Sequence, residues 1–105
     1  DLAACGAAVL GANPRRLDQI DIRRVRGTLS RNGAIEQEGE ASAVLGNPVT
    51  AVAWLANKLA EFDISFSPGD VILTGSFVKA IPVAAGDEIV CEFDHGLGRV
   101  DVSFT

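Results

Sequence analysis

The sequence lacks residues on which several classes of protein depend. It contains no methionine and no tyrosine, a single histidine, and two cysteines in 105 residues. Any two-histidine metal site or histidine-dependent charge relay would have to use His95 alone. Cys5 and Cys91 show no CxxC spacing, and no secretory leader is recognisable, which favours reduced, buried thiols in a cytoplasmic protein over a disulfide.

Long basic stripes and long apolar runs are also missing. Lys and Arg number 9 against 14 Asp and Glu, and only "RRVR" at 23–26 clusters positive charge, so nucleic acid is an unfavourable partner. No apolar run approaches the roughly 20 residues that cross a bilayer. A hydrophobic fraction of 48% is typical of globular proteins, and the length of the chain allows one domain with a modest core. The sequence therefore predicts one soluble domain.

The chain also has no methionine at its first position and starts abruptly at "DLAACGAAVLG". Residues 3–12 are small and apolar, with no polar lead-in. We expect a segment of a longer protein, in which some of the packing partners of residues 3–12 lie outside these 105 residues.

Alternation and turn residues predict two β-hairpins. In "RRVRGTLSRNGAIEQEGEAS", apolar and polar residues alternate around Asn32-Gly33, a pair that tolerates positive φ. Near the end of the chain, Ile89, Cys91 and Phe93 are mirrored by Val100, Val102 and Phe104 across "DHGLGR". The turns "SPGD" at 67–70 and "AAGD" at 84–87 match, and each is expected to launch a strand, "VILTG" and "EIVCEFD".

One amphipathic helix is predicted over about 48–62. Asn47 is a good N-cap, and Pro48 suits the first helical position because its missing N–H would be unpaired there. The apolar residues expected to form its buried face are Val49, Val52, Ala53, Ala56, Leu59 and Ala60. The sum is a strand-rich α+β domain with one main helix.

Three glutamates at alternate positions are one candidate for chemistry. Glu36, Glu38 and Glu40 would project from one strand face and could hold a hard divalent cation such as Mg²⁺. The alternative is a solvated strand face whose charges discourage edge pairing, and we favour it because nothing else nearby supplies ligands. His95, in a predicted hairpin turn, is expected to be exposed to solvent rather than catalytic.

The stretch "GDVILTGSF" is the more informative candidate. An apolar strand ending in Thr74-Gly75-Ser76 presents two hydroxyls around a glycine, where a ligand can approach the backbone and receive hydrogen bonds on a carboxylate or enolate oxygen. Spacing alone favours the alternative, a strand that simply ends in a polar turn.

Four blocks in order, "VLGNPVTAVAWLANKLAEF", "PGDVILTGSF", "PVAAGD" and "GLGRVDVSF", resemble the C-terminal part of a known enzyme family. This is the 2-keto-4-pentenoate hydratase and 4-oxalocrotonate decarboxylase family of the fumarylacetoacetate hydrolase superfamily. The resemblance implies a mixed β-roll with one main helix, and a single domain over 1–105 that forms the C-terminal portion of a longer hydratase-like catalytic domain.

The resemblance also implies an activity. Such enzymes, from the meta-cleavage route of aromatic degradation, add water to a 2-hydroxy-2,4-dienoate or a 2-oxo-ene-dioate through a metal-stabilised enolate. A 4-oxalocrotonate-type decarboxylase is the alternative, and a catalytically incomplete fragment that acts as a binding or structural module is another. "VAWLANKLAEF", "GSF" and "CEFDHGLG" look more like the hydratases. Relatives are homo-oligomers, so we expect a homo-oligomer or association with a missing N-terminal half.

The resemblance places the functional residues unevenly. The family uses Mg²⁺ or Mn²⁺, held by a Glu-x-Glu pair and a further glutamate that precede the matched part, so no metal ligand and no catalytic residue is assigned here. Ser76 aligns with a substrate-contacting hydroxyl, with Thr74 and Gly75 beside it. These three residues would form a wall of the substrate pocket. We expect Leu45, Gly46 and Pro48, at the start of the helix, to support that wall.

Overall fold

The described part of the chain is an α+β fold with one α-helix and one antiparallel sheet. A computed structural model describes residues 6–105. Strands β1 (Arg26–Arg31) and β2 (Ala34–Glu40) come first, then helix α1 (Pro48–Ala60), then β3 (Glu88–Phe93) and β4 (Gly98–Ser103). The strand order is β2-β1-β3-β4, so the first hairpin lies beside the second. Short 3₁₀ turns at Ile22–Arg24 and Ala41–Ala43 flank the first hairpin.

The first hairpin forms where the sequence predicts it. Asn32 and Gly33 have φ of 51° and 84°, and two successive positive φ values match the right-handed twist of the strands they join. The register shifts between Leu29 and Ser30, so that Leu29 faces Gln37 whereas Ser30 faces Ile35. The extra residue on β2 is therefore Glu36, which makes a β-bulge.

The second hairpin is also confirmed. Ile89 faces Val102 and Cys91 faces Val100, whereas Phe93 faces Gly98. Phe104 lies just beyond β4, where its backbone bonds to Asp87 and Gly86 at the base of the hairpin. The alternation of apolar residues therefore predicted the hairpin and the shared sheet face of these residues, whereas the register is shifted by two residues from the mirrored pairing, in which Phe93 would face Val100.

The two Gly-Asp turns have the same construction. In each, the aspartate carboxylate accepts a hydrogen bond from the backbone N–H three residues earlier, Ser67 to Asp70 at 2.7 Å and Ala84 to Asp87 at 2.9 Å. Both aspartates also donate their backbone N–H back to the carbonyl of that residue. The predicted match between the two turns is therefore present, although within residues 6–105 only the second turn leads into a strand.

The predicted strand "VILTG" at 71–75 is not formed within the described residues. These residues pair with no strand between positions 6 and 105. A strand is defined by its hydrogen bonds to a neighbouring strand. The chain after the second Gly-Asp turn forms β3 and pairs with β1, whereas residues 71–75, after the first turn, have no neighbouring strand among the described residues.

Helix α1 begins as predicted and ends two residues early. The Asn47 side chain accepts the Val49 N–H at 2.9 Å, and Pro48 occupies the first turn. After Ala60 the chain turns through Asp63, whose φ is 56°, while the Ile64 N–H bonds back to the Leu59 carbonyl. This is a helix end of the kind usually completed by glycine.

The expectation that this helix serves as core is wrong for the described residues. Only Pro48 is buried. Val49, Ala53 and Ala60 are exposed, and the half-buried positions are Ala51, Val52, Leu55, Ala56 and Leu59. The helix faces residues 64–75 across an open groove, so little apolar surface is covered on either side.

The buried apolar residues are few, and three of the four lie at the open end of the first hairpin, whereas Ile89 lies on β3 opposite Arg31, near the turn of that hairpin. They are Val25, Ala41, Val44 and Ile89. Residues 6–12 are exposed. Cys5 lies outside the described residues. No helix among residues 6–105 is long and apolar enough to span a bilayer.

A turn-to-turn contact predicts a pH dependence. The Asn32 amide donates to Asp87 and its carbonyl oxygen accepts the Glu88 N–H, both at 2.9 Å. The Asn32 amide and then the Ala84 N–H hold the pKa of the Asp87 carboxyl below its usual value. This contribution to folding stability is present above the ordinary aspartate pKa, and it is lost as the pH falls through the lowered one.

We therefore expect Asp87→Ala to flatten the acid side of the plot of melting temperature against pH. Circular dichroism melts of both proteins between neutral and strongly acid pH measure this. An unchanged acid slope in the variant would show that Asp87 does not couple the two turns.

Candidate functional site

Residues 74–78 form a tight corner that contacts the sheet at β1 and β2. Gly75 has φ of 102°, a conformation that side chains rarely adopt. The Ser76 hydroxyl donates to the Val78 carbonyl at 2.7 Å and accepts the Val78 N–H at 3.2 Å. The strand-end serine therefore shapes its own turn, and its hydroxyl must rotate to serve a ligand.

This corner borders a groove of about 310 Å³ against β1 and β3. Ser76 and Gly75 lie at its rim, and Thr28 and Cys91 are its other polar or polarisable groups. The lining residues are Gly27, Thr28, Leu29, Gly75, Ser76, Phe77, Val78, Cys91 and Phe93. A mostly apolar cleft with a few polar groups is typical of a small-molecule site.

Two facing glycines seat the corner on the sheet. Gly27 and Gly39 are cross-strand partners. A Cβ at Gly39 would lie 2.5 Å from the Phe77 carbonyl oxygen, and one at Gly27 would lie 3.0 Å from the rings of Phe77 and Phe93. The two rings meet edge to face with centroids 6.3 Å apart. Without these glycines, residue 77 could not approach β1 and β2 so closely.

Of the remaining predicted site residues, Thr74 is half-buried and does not line this groove. Leu45 and Gly46 have φ of 53° and 76° and are both exposed, whereas Pro48 is buried. The described contact between the helix entry and Gly75 comes from Val44, whose Cγ1 lies 3.8 Å from the position of a Gly75 Cβ. Sequence reasoning missed Val44, although it directly precedes "LGNP".

The three glutamates do not form a cluster. The bulge moves Glu36 out of register with its neighbours, and Glu36 pairs with Arg31 at 2.8 Å while Glu40 pairs with Arg26 at 3.3 Å. Among residues 6–105, no group of three or more His, Cys, Asp or Glu is placed to hold a metal ion. Two of the three carboxylates on this strand, those of Glu36 and Glu40, are therefore engaged with arginines.

His95 lies in an exposed turn, as predicted, with φ of 56°. Its Nδ1 is 2.6 Å from a carboxylate oxygen of Asp94, which also accepts the Arg26 N–H at 2.9 Å. The hydrogen bond with His95, followed by that from Arg26, lowers the pKa of the Asp94 carboxyl. These contacts fasten the hairpin turn to the start of β1, and His95 does not line the groove.

Cys91 is the free thiol of the described residues. It is half-buried on β3 at the wall of the groove, and burial raises the pKa of its thiol. A protonated thiol is a poor nucleophile at neutral pH, so Cys91 is a packing residue here. The sequence predicted a buried reduced thiol but did not place it beside Ser76.

Curated relatives match the whole chain. It is 38% identical over 104 residues to 2-oxo-hept-4-ene-1,7-dioate hydratase of Escherichia coli, covering 99% of this chain and 39% of the relative. It is 40% identical over 105 residues to 2-hydroxyhexa-2,4-dienoate hydratase of Comamonas testosteroni, again covering 39% of that protein. The chain thus spans about two-fifths of the length of these relatives.

A solved structure shares the fold. 4-Oxalocrotonate decarboxylase from Pseudomonas putida G7, complexed with magnesium and adipate, superposes with a TM-score of 0.80 at 39% identity, covering 85% of this chain and 34% of that one. The same enzyme is also known complexed with calcium and acetate. Residues 3–104 match the model of the fumarylacetoacetate (FAA) hydrolase C-terminal family. The chain belongs to the fumarylacetoacetate hydrolase family, and its relatives there include both 2-keto-4-pentenoate hydratases and 4-oxalocrotonate decarboxylases.

Proposed function

We propose that these residues form the scaffold and one wall of the substrate cavity of a hydratase-type lyase. The observation that carries the proposal is the groove at Gly75 and Ser76, in a chain 38% to 40% identical to two named hydratases. The substrate class is a 2-hydroxy-2,4-dienoate or a 2-oxo-ene-dioate, to which water adds to give a hydroxylated 2-oxo acid.

The groove suits an acid with an apolar carbon chain. Leu29, Phe77 and Phe93 supply apolar walls for the carbon chain, and Gly75 leaves room for close approach to the backbone. The Ser76 hydroxyl leaves the Val78 carbonyl and donates to a substrate oxygen at the rim. Hydrogen bonds to charged groups contribute about 1.5 to 3 kcal/mol each, enough to orient the acid.

The other predicted residues have supporting roles in this proposal. Thr74 is a further donor beside Ser76, while Leu45, Gly46 and Pro48 hold the helix entry. Val44 is buried and lies next to Gly75, so it connects the start of the helix to the corner.

A complete divalent metal centre does not fit the described residues. A cation such as the magnesium or calcium of the solved relative would need ligands from outside positions 6–105, because no suitable group of three exists among them. We therefore assign these residues to one side of a longer catalytic domain, of which they form the C-terminal portion. Association with the rest of that domain, assembly into a homo-oligomer and a cytoplasmic location belong to the same proposal.

A chimera tests the proposed role of Ser76. The matched segment of the Comamonas testosteroni hydratase is replaced by this chain, and hydration is followed by the loss of dienoate ultraviolet absorbance. We expect Ser76→Ala to lower kcat/KM by about 10- to 100-fold, the loss of one hydrogen bond to a charged group. Ser103→Ala, at an exposed strand end, should have no effect. Equal kcat/KM in the two variants would remove Ser76 from the site.

The decarboxylase is a second candidate because the solved relative carries that name at 39% identity. It differs from the hydratase in releasing CO₂ from a 2-oxo dioate. Incubation of the same chimera with 4-oxalocrotonate, with CO₂ measured, separates the two. CO₂ release without hydration of the dienoate would favour the decarboxylase.

A further inference from the structure

The turn of the first hairpin contains an asparagine followed by a glycine. Asn32-Gly33 is the one such pair in the sequence, and the other asparagines precede proline or lysine. Asparagine is chemically labile, because the backbone nitrogen of the next residue can attack its side-chain amide. The attack is least hindered by glycine, which has no side chain. Proline has no N–H and cannot make it.

The attacking nitrogen is accessible in this turn. Asn32 and Gly33 are both exposed. The Gly33 N–H makes no hydrogen bond within the described part of the chain. A Cβ at Gly33 would meet nothing within 4 Å. Water and the Gly33 nitrogen can therefore both reach an asparagine side chain that is free to move.

The Asn32 side chain is not free to move in the folded chain. Its amide N–H donates to the Asp87 carboxylate and its carbonyl oxygen accepts the Glu88 N–H, both at 2.9 Å. The Asp87 carboxylate is itself held by the Ala84 N–H at 2.9 Å. Rotation of the amide toward the Gly33 nitrogen breaks both of its hydrogen bonds. The turn can react only when this contact between the two hairpins opens locally.

We propose that Asn32 is a site of spontaneous deamidation and that its contact with Asp87 and Glu88 sets the rate. The Gly33 nitrogen bonds to the side-chain carbonyl carbon of Asn32, and the bond from that carbon to Nδ2 breaks. The Gly33 proton leaves with Nδ2 as ammonia, and a cyclic imide remains. Water then opens the ring at either carbonyl, which gives aspartate or isoaspartate at position 32. The net reaction consumes water and releases ammonia, with no change in oxidation state.

Either product removes the contact that had protected Asn32. An aspartate at this position has no N–H to donate to Asp87, and it places a second carboxylate beside the first. An isoaspartate adds a methylene to the main chain of a two-residue turn, whose length fixes the register of the strands. Deamidation should therefore loosen the join between the two hairpins, so that Asn32 limits the chemical lifetime of the sheet.

Peptide mapping by mass spectrometry, during incubation at neutral pH, tests the proposal. Deamidation of Asn32 should be slow in the folded chain and at least about 10-fold faster in guanidinium chloride, where its hydrogen bonds are lost. Asn57, which precedes a lysine in the helix, is the internal control and should remain intact. The products should include isoaspartate, which forms only through the ring. Equal rates with and without denaturant, or aspartate without isoaspartate, would overturn the proposal.

A pair of aspartate variants isolates the contribution of the contact. Asp87→Ala should speed the reaction of the folded chain by about 10-fold, the loss of one hydrogen bond to a charged group. Asp70→Ala is the matched control, because Asp70 holds the matching Gly-Asp turn through the Ser67 N–H. Circular dichroism confirms that both variants are folded at the incubation temperature. Equal rates in the two folded variants, or a difference that persists in denaturant, would contradict the role of the contact.

A variant that carries the expected product tests the consequence without incubation. Asn32→Asp should melt at least about 5 °C below Asn57→Asp, which adds the same charge at an exposed helix position. This comparison decides the matter where Asp87→Ala does not fold. Equal melting temperatures of the two variants would show that deamidation does not loosen the join between the hairpins, and would overturn the proposal.

Discussion

Replacement of Gly39 by alanine is expected to lower the free energy of unfolding by about 3 kcal/mol, the upper range for overpacking. The added Cβ would lie 2.5 Å from the Phe77 carbonyl oxygen. The added Cβ and the Phe77 carbonyl oxygen are both attached to backbone, and the backbone of Gly39 is held in β2. Residue 77 must therefore move away from the sheet. Urea unfolding followed by circular dichroism measures the loss.

The same substitution should displace Ser76, because residues 74–78 form one corner. Gly6→Ala is the control, since its Cβ would meet nothing within 4 Å. Gly27→Ala should cost less than Gly39→Ala, because the atoms it meets at 3.0 Å belong to the Phe77 and Phe93 rings. A Gly39→Ala protein as stable as the Gly6→Ala protein would show that Phe77 is not seated on the glycine pair.

Isolated from the remainder of the domain, the chain should hydrate a 2-hydroxy-2,4-dienoate at least about 10⁴-fold more slowly than the chimera. General acid–base catalysis alone accounts for about 10² to 10⁴ in rate, and the described groove contains no group placed to provide it. His95 lies elsewhere and the Cys91 thiol is protonated. Absorbance assays at equal protein concentration, with Mg²⁺ present in both, make the comparison.

Turnover by the isolated chain within about tenfold of the chimera would contradict the division of the site between two parts of a domain. A chimera of the decarboxylase, prepared in the same way, serves as a second host for the chain. If the hydratase chimera folds poorly, the isolated chain can still be compared with the decarboxylase chimera.

Local signals in the sequence predicted most of the fold. Asn32-Gly33 determined the first hairpin, because positive φ at both positions is needed there. Asn47 and Pro48 determined the start of the helix through a cap that needs only neighbouring residues. These features depend on residues a few positions apart, so no knowledge of the tertiary structure was needed.

What the sequence did not predict depends on distant residues. "VILTG" has the composition of a strand, but its pairing requires a neighbour that the described residues do not provide. The helix has an apolar face that would have suited a core, yet what lies opposite is an open groove. An apolar helix face is buried only where another part of the protein packs against it.

The site was predicted in part. The sequence and its resemblance selected Thr74, Gly75 and Ser76, and the structure places Gly75 and Ser76 on a groove. It could not reveal that Val44 contacts Gly75 or that Gly27 and Gly39 seat Phe77, because these contacts join residues far apart in the chain. A glycine on each of two adjacent predicted strands was the available signal.

The central claim is that this chain contributes a cavity wall while the ligands of a divalent cation come from elsewhere. Titration calorimetry with oxalate, a mimic of an enolised 2-oxo acid, tests it most directly, with and without Mg²⁺, on the isolated chain and on the chimera. We expect Mg²⁺-dependent heat from the chimera and none from the chain. Micromolar, Mg²⁺-dependent binding of oxalate by the isolated chain would contradict the claim.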